Sequence, residues 1–234
     1  MHLSRRLEGI ASLIPPGGVV ADIGGDRGEL SYALLERGIA KRIILTDLSP
    51  HSLNRARELF AGSPFRPKIE FRLGAGFSVL QPGEARYAVL AGMGGGAIIK
   101  ILAAFPFVCQ SLDAIFIQAM RDSDQVRLYL AGHGMRISDE KLIQEDGIFY
   151  AIIKAEKGTM CLQPEEAFLG PVLLARQEPL LREFLKRMIL RKEAIFRQLK
   201  EENQGLFRRQ VLENELQLLR ELYHGAIEGN PDEN

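Results

Sequence analysis

The sequence has no tryptophan, only two cysteines and only four histidines among its 234 residues. Cys109 and Cys161 are far apart and lack metal-binding spacing, which favours a reducing compartment over a disulfide framework. The histidines are scattered, so no histidine-based metal site is expected. No run approaches the roughly 20 apolar residues of a membrane span, and the N-terminal segment lacks the apolar centre of a signal peptide. These absences predict a soluble, cytoplasmic protein without a metal.

The charges balance, with 30 Lys and Arg residues against 30 Asp and Glu residues. This balance excludes a highly basic RNA-binding domain but leaves room for a local basic face. A content of 46% hydrophobic and 26% charged residues is that of an ordinary globular protein. The length suffices for one α/β domain and a smaller appendage.

Strand and helix patterns alternate along the N-terminal two thirds of the chain. This alternation predicts a mostly parallel sheet with right-handed crossovers. A closing hairpin adds an antiparallel last strand, which a nicotinamide-binding Rossmann domain usually lacks. The predicted strands are 19–23, 42–47, 68–73, 87–91 and 114–118, and the hairpin is formed by 135–142 and 149–155.

The C-terminal part of the chain has few glycines or prolines and no strand-like alternation. Apolar residues at spacings of three and four predict two antiparallel helices packed as a coiled coil, with a turn at Asn203–Gly205 and a polar tail over 228–234. We therefore predict a first domain over 1–158 and a helical hairpin over 159–234. Residues 176–224 hold eleven basic and eight acidic side chains. This mild excess leaves RNA contact, dimerisation and plain stability open, and the oligomeric state with them.

The segment 22–28, Asp-Ile-Gly-Gly-Asp-Arg-Gly, joins the first predicted strand to a helix. Its glycines let the backbone approach a ligand, and the helix N-terminus offers free N–H groups. Asp22 at the strand end suits a cofactor with a positive methionine end. Asp26 replaces the second glycine of the nicotinamide motif Gly-x-Gly-x-x-Gly and would repel a pyrophosphate. The segment therefore favours S-adenosylmethionine, held by Asp22 and Gly24, over a dinucleotide.

Asp47 ends the second predicted strand, twenty-five residues after Asp22. A carboxylate there can accept hydrogen bonds from both ribose hydroxyls of a nucleoside cofactor, and each such bond contributes about 1.5–3 kcal/mol. The alternative is that Asp47 only caps the next helix together with Ser49. Acids at the ends of two neighbouring strands favour the cofactor site, to which we also assign Leu48.

A glycine run, Gly92-Met93-Gly94-Gly95-Gly96, follows the fourth predicted strand. In this architecture the position faces the group that is transferred, so the backbone must approach the substrate closely there. Gln118, at the end of the fifth strand, is an accessory candidate or else a satisfied edge glutamine. We assign Ala91 to the cofactor, and Asp26, Gly92, Met93, Gly94 and Gln118 to the reacting group.

Five segments stand out together: Leu3-Ser4-Arg5-Arg6-Leu7, Asp22-Ile23-Gly24, Ala91-Gly92-Met93-Gly94-Gly95, Glu145-Asp146-Gly147 and Phe168-Leu169-Gly170-Pro171. In order and spacing they resemble the TrmK family of bacterial tRNA methyltransferases, which modify ring nitrogen N1 of an adenine. The resemblance implies a Rossmann-like class I methyltransferase sheet of seven strands, the last antiparallel, with S-adenosyl-L-methionine as cofactor and tRNA as partner. Phosphate contacts are then expected from Arg5, Arg6, Arg27, Arg191 and Lys192.

Three segments depart from the family pattern around the predicted cleft. Arg27 stands at the position of a family histidine, and Ala119 and Met120 replace a Pro-Asn pair after the fifth strand. Ala75 replaces an aspartate that contacts the cofactor's adenine. We still assign Ala75 and Gly76 to the cofactor site, because they occupy the positions of the family's cofactor contacts. The loss of one neutral hydrogen bond costs about 0.5–1.5 kcal/mol, or roughly two- to tenfold in binding. A non-catalytic or re-purposed paralogue that binds RNA, and a methyltransferase with another substrate, therefore stay open.

Overall fold

The computed structural model describes residues 1–199 and 206–228, so the predicted turn at Asn203–Gly205 and the tail after residue 228 lie outside the described residues. The chain forms two compact units, Met1–Val172 and a second that begins at Leu173. The sequence predicted the boundary at 158, some fourteen residues earlier. In the part of the chain that the structure describes, no helix is long and apolar enough to cross a membrane.

A seven-stranded sheet forms the centre of the first unit. The strands are β1 Gly18–Ile23, β2 Ala40–Asp47, β3 Ile69–Leu73, β4 Tyr87–Met93, β5 Ala114–Ala119, β6 Met135–Glu145 and β7 Ile148–Lys157. Their order is β3-β2-β1-β4-β5-β7-β6, and only β7 runs antiparallel to its neighbours. The predicted fold class is confirmed. The strand order reverses direction between β1 and β4, and open α/β sheets bind ligands at the carboxyl ends beside such a reversal.

Helices cover both faces of this sheet and bury two apolar cores. Successive strand residues alternate between the cores, so that Val20 joins one and Ala21 the other, as the two-residue period of a strand requires. The sequence did not predict the short helices over Pro106–Ser111, Pro164–Leu169 and Pro171–Ala175. The helices are α1 Arg5–Ala11, α2 Glu29–Glu36, α3 Pro50–Phe60, α4 Gly95–Ala104, α5 Pro106–Ser111, α6 Ser123–Gly132, α7 Pro164–Leu169, α8 Pro171–Ala175, α9 Leu180–Leu199 and α10 Leu206–Glu228, with 3-10 turns at Arg66–Lys68 and Gly76–Val79.

The β6–β7 hairpin extends past the end of β5 and borders the carboxyl edge of the sheet. Gln118 of β5 is paired with Ile152, whereas β7 already begins at Ile148. Helix α1 packs on this extension so closely that a Cβ atom on Gly9 would lie 2.7 Å from the Cδ1 atom of Ile152. The start of α1 is therefore fixed beside the carboxyl edge.

The segment Phe168-Leu169-Gly170-Pro171 closes the first unit around the buried side chain of Arg127, which is 1% exposed. Arg127 Nε donates to Glu140 Oε1 at 2.8 Å, and its Nη atoms donate to the carbonyls of 167–169 at 3.0–3.4 Å. Val172 N donates to Glu140 Oε2 at 3.0 Å. Gly170 has φ +110°, and a Cβ atom there would lie 2.5 Å from Glu140 Oε2. These bonds explain why the first unit continues to residue 172.

The second unit contains α9 and α10, which pack in antiparallel order. Lys192 pairs with Glu215 at 2.5 Å, and Arg220 pairs with Glu193 at 2.6 Å. Apolar side chains at helical spacing are buried, among them Leu212, Leu216 and Leu219. The two C-terminal helices predicted from the apolar spacing are therefore present.

Candidate active site

The predicted site residues converge at the carboxyl ends of β1, β2, β4 and β5, where a cavity of about 250 Å³ opens. Three residues that were not predicted as site residues also line this cavity, Leu7, Glu29 and Leu30. Of the predicted residues, those that line it are Arg6, Asp22, Gly24, Asp26, Arg27, Ala91 and Gly92.

Asp22 places a buried carboxylate at the end of β1. Ser31, from the first turns of α2, donates its hydroxyl to Asp22 Oδ2 at 2.6 Å. A Cβ atom on Gly25 would lie 2.9 Å from the same oxygen, so glycine is required for this close approach. Burial raises the pKa of Asp22 from 3.8 to about 6, against the opposing hydrogen bond from Ser31 and with a smaller contribution from the charge of Asp47.

The glycine turn after β1 is held against the end of β2. Gly24 has φ +69°, a conformation that favours glycine, and its N–H donates to the Thr46 carbonyl at 2.8 Å. Gly25 N–H donates to the same carbonyl at 3.2 Å. Thr46 was not predicted, because a backbone acceptor on a neighbouring strand has no signal in its own side chain.

The carboxylate of Asp47 is oriented by two backbone donors, Asp26 N at 3.2 Å and Ser49 N at 2.8 Å. The predicted helix cap is also present, since Ser49 Oγ accepts from Ser52 N at 3.2 Å. Each carboxylate oxygen has room for further donors. Backbone donors thus fix the orientation of Asp47 at the end of β2. Among the described residues no side chain donates to its carboxylate, so both oxygens can accept further hydrogen bonds.

The loop after β3 lies beside Asp47, because Gly74 N–H donates to the Asp47 carbonyl at 3.0 Å. Ala75 and Gly76 follow in this loop, where Ser78 Oγ accepts from Ala75 N at 3.1 Å. Leu48 is 72% exposed, an unusual state for a leucine next to a buried strand. These three predicted contacts are on the β2–β3 side of the site and are not among the residues that line the cavity.

Asp26 faces helix α3 and is paired with a residue that the sequence analysis missed. Its Oδ1 atom accepts from Arg55 Nη2 at 2.6 Å, and its backbone has φ +45°. Arg27 is 3.8 Å from Asp26 Oδ2 and 3.3 Å from Glu29 Oε1. Sequence spacing gave no indication of Arg55, because it lies twenty-nine residues away and meets Asp26 only through the packing of α3.

The glycine run at the end of β4, which extends to Met93 and so includes Gly92, serves two purposes. Gly92 lines the cavity with φ +77°, and the Met93 methyl group would lie 3.2 Å from a Cβ atom on Gly24. Gly94 lies against Arg121, while a Cβ atom on Gly95 would lie 2.5 Å from the Asp122 carbonyl oxygen. Gly92 therefore faces the cleft, Met93 packs against the Gly24 turn without lining the cavity, and Gly95 is required by backbone packing.

Gln118 is fully buried, and its amide is completely hydrogen bonded. Its Oε1 atom accepts from Arg6 Nη1 at 2.8 Å and from Gly92 N at 3.2 Å. Its Nε2 atom donates to the Ala119 carbonyl at 3.0 Å and contacts Met120 Sδ at 3.6 Å. The structure therefore agrees with the second alternative for Gln118, a glutamine whose hydrogen bonds are satisfied within the protein.

The groups around the cleft fit a nucleoside cofactor with a cationic amino-acid end. The Asp22 carboxylate offers negative charge at the end of β1, and Asp47 offers oriented acceptors for a ribose diol. Gly24 and Gly25 line the cavity, so backbone rather than side chain faces a ligand there. The described residues contain no group of three His, Cys, Asp or Glu side chains arranged to hold a metal ion.

Comparison with known proteins identifies the family. Residues 3–153 match the family model described as a methyltransferase domain. The chain belongs to the methyltransferase domain family. A tRNA (adenine(22)-N(1))-methyltransferase of Bacillus subtilis is 32% identical over 159 residues, which cover 68% of this chain and 66% of that protein.

Solved structures extend this likeness over both units. The Bacillus subtilis m1A22 tRNA methyltransferase TrmK is 27% identical with a TM-score of 0.82, covering 95% of this chain and 99% of that one. A Streptococcus pneumoniae protein in complex with S-adenosyl-L-methionine is also 27% identical, with a TM-score of 0.87 and coverage of 95% and 100%. The resemblance to the TrmK family is thereby confirmed.

Proposed function

We propose that this methyltransferase uses S-adenosyl-L-methionine to methylate N1 of an adenine in tRNA. The observation that carries the proposal is the pair of acids at neighbouring strand ends, Asp22 buried in the cleft and Asp47 oriented by backbone donors. The activity named for the Bacillus subtilis relative supports the choice of substrate, and the matched region spans 66% of that relative's length. We also propose a cytoplasmic location, where a tRNA substrate is available.

In this proposal Asp22 and Gly24 hold the methionine end and Asp47 binds the ribose, with Leu48, Ala75, Gly76 and Ala91 completing the cofactor contacts. When bound, the cofactor supplies a methyl group on a cationic sulfur. Adenine N1 carries an available lone pair at neutral pH, so in-line displacement needs no strong general base. The protein's part is to align the base and to favour the cationic product ring over the neutral one.

The residues nearest to the reacting group are Gly92 and Met93 in this proposal, with Gly94, Asp26 and Gln118 behind them. Phosphate contacts come from Arg5, Arg6, Arg27, Arg191 and Lys192. Ala75 favours a second candidate, a paralogue that binds RNA with little or no cofactor, because the family's adenine-binding carboxylate is missing there.

Transfer of radiolabelled methyl groups from S-adenosylmethionine to a tRNA transcript tests the proposal. We expect label in 1-methyladenosine after nuclease digestion, and none when the adenines of the D-arm region are replaced. Saturable cofactor binding without methyl transfer to the transcript would reject tRNA as the substrate. Retained tRNA binding without any cofactor binding would favour the paralogue.

The pH dependence of cofactor binding reports on Asp22. A cationic cofactor end favours the ionised carboxylate, so its affinity should fall as the pH drops below about 6. The folding stability of the ligand-free protein should change with pH in the opposite direction to the cofactor affinity. Because the pKa of Asp22 in the folded state lies above 3.8, the folded state binds more protons between about pH 6 and 4 and gains stability as the pH falls.

Calorimetric titrations at pH 5 to 8 measure this dependence, with Asp22→Asn as the matched variant. We expect Asp22→Asn to bind more weakly at pH 7 and to lose the change of affinity near pH 6. The same change of cofactor affinity with pH in both proteins would show that a group other than Asp22 takes up the proton.

Restoring the family's acid at position 75 should strengthen cofactor binding. Ala75→Asp is expected to lower the dissociation constant roughly two- to tenfold, since one hydrogen bond contributes about 0.5–1.5 kcal/mol. Ala61→Asp, at the exposed end of α3, adds the same charge and should leave the constant unchanged. Equal binding by Ala75→Asp and the unmodified protein would place the adenine elsewhere.

A further inference from the structure

Arg6 lies in the cleft as a cation that has no carboxylate partner among the described residues. Its Nη1 atom donates to the neutral amide of Gln118, and its Cζ atom is 5.8 Å from the centre of the Tyr150 ring. The neighbouring cations differ, since Arg27 lies near Asp26 and Glu29 and Arg55 is paired with Asp26. A half-buried cation with unused N–H donors suits an anionic group that the substrate brings into the cleft.

Three elements fix Arg6 in place. It lies in the first turn of α1, where the N–H of Arg5 donates to Glu145 Oε1 of the β6–β7 hairpin at 2.5 Å. Gln118 at the end of β5 holds the guanidinium from one side, and the ring of Tyr150 in β7 lies on another. Two of the motifs that stood out in the sequence, at 3–7 and 145–147, therefore meet next to this cation, through the Arg5 N–H and Glu145.

Gln118 joins this cation to the backbone beside the transferred group. The oxygen that accepts from Arg6 also accepts from the N–H of Gly92, which lines the cleft. Because both Nε2 contacts are also made, a bond from Gln118 to the base would break an existing one. A carboxylate in its place would neutralise Arg6, whereas the amide leaves the positive charge available.

We propose that Arg6 binds the phosphate of the nucleotide whose base enters the cleft, and that Gln118 is a positioning residue that couples this contact to the Gly92 backbone. The inference rests on the proposed tRNA substrate. A base that reacts inside a pocket must leave its stack, so the backbone of that nucleotide has to be held near the pocket. A planar guanidinium can hold a phosphate with two parallel hydrogen bonds.

Single-turnover methylation of a tRNA transcript at saturating cofactor and tRNA separates this role from simple docking. Arg6→Gln and Gln118→Leu should each lower the rate at saturation at least tenfold, since small misplacements can cost about 100-fold. Cofactor affinity should stay close to that of the unmodified protein in both variants. The melting temperature should be unchanged in Arg6→Gln but lower in Gln118→Leu, because the Gly92 N–H and the Ala119 carbonyl lose their buried partner. The double variant should be within about twofold of the slower single variant, because both changes break one coupled contact.

Two further variants sharpen the test. Gln118→Glu keeps both acceptor contacts but neutralises Arg6, and it turns a carboxylate oxygen toward the Ala119 carbonyl, so its melting temperature should fall. Like Arg6→Gln, it should reduce the slope of log affinity for tRNA against log salt by about one. Arg86→Gln removes an exposed arginine, paired with Asp113 at the opposite edge of the sheet, and should change neither quantity.

The outcomes are distinct. Multiplying losses in the double variant, or full rates for Arg6→Gln at saturating tRNA, would overturn the inference while leaving tRNA methylation intact. Absence of tRNA methylation by the unmodified protein would overturn the proposed function and this inference with it.

Discussion

Arg127→Met should lower the free energy of unfolding by about 3–5 kcal/mol, which is the cost of breaking one side of a buried ion pair. The substitution removes the guanidinium from the buried Glu140 carboxylate, which is 1% exposed. It also removes the donors to the carbonyls of 167–169. Urea unfolding monitored by circular dichroism measures the change.

Two companion variants test the cause. Arg136→Met removes an exposed arginine paired with Glu156 at 3.1 Å, and should change stability by less than about 0.5 kcal/mol. Arg127→Met combined with Glu140→Leu should recover part of the loss, because no unpaired buried charge remains. Similar losses in Arg127→Met and Arg136→Met would show that the buried pair contributes no more than a surface pair.

Asp47→Ala should weaken cofactor binding at least about 100-fold. Two charge-assisted bonds to a ribose diol would contribute about 1.5–3 kcal/mol each, and each 1.4 kcal/mol is tenfold in the dissociation constant. The same carboxylate also accepts from Asp26 N and Ser49 N, so its loss loosens the turn that carries Gly24. Isothermal titration with S-adenosylmethionine and with S-adenosylhomocysteine measures the effect.

S-adenosylhomocysteine, the cofactor product, lacks the sulfonium charge and therefore separates the roles of the two acids. Asp47→Ala should weaken both ligands alike, because both carry the ribose, whereas Asp22→Asn should weaken the sulfonium form more. Asp113→Ala removes an exposed carboxylate at the amino end of β5 and should leave both constants unchanged. Binding by Asp47→Ala within tenfold of the unmodified protein would reject Asp47 as the ribose ligand.

The glycine run shows how far sequence reasoning about the site could go. The glycine-rich segment at the end of β4 was predictable as a close approach of backbone, and Gly92 lines the cleft as expected. The reason for Gly95 was not predictable, because it depends on the Asp122 carbonyl oxygen in a loop more than twenty-five residues away. A glycine required by packing and one required by a ligand look the same in a sequence.

The polar residues of the cleft also divide into those that the sequence predicted and those whose role depends on distant packing. Asp22 and Asp47 were predictable because an acid at the end of a parallel strand faces the ligand edge whatever the distant packing is. The partner of Asp26 was not predictable, since Arg55 reaches it across the packing of α3. The state of Gln118 was also open, because its amide is satisfied by α1, β4 and its own loop together.

By itself the sequence determined the fold class, the acids at the strand ends and the helical C-terminal unit. These features follow from local periodicity and from residue types at element boundaries, which act over a few residues. Only the tertiary structure decided that Arg6 enters the cleft, that Gln118 ties it to Gly92, and that the first unit runs to Val172 through Arg127. Each of these depends on side chains that meet across more than twenty residues of chain, where packing and burial rather than spacing select the partner.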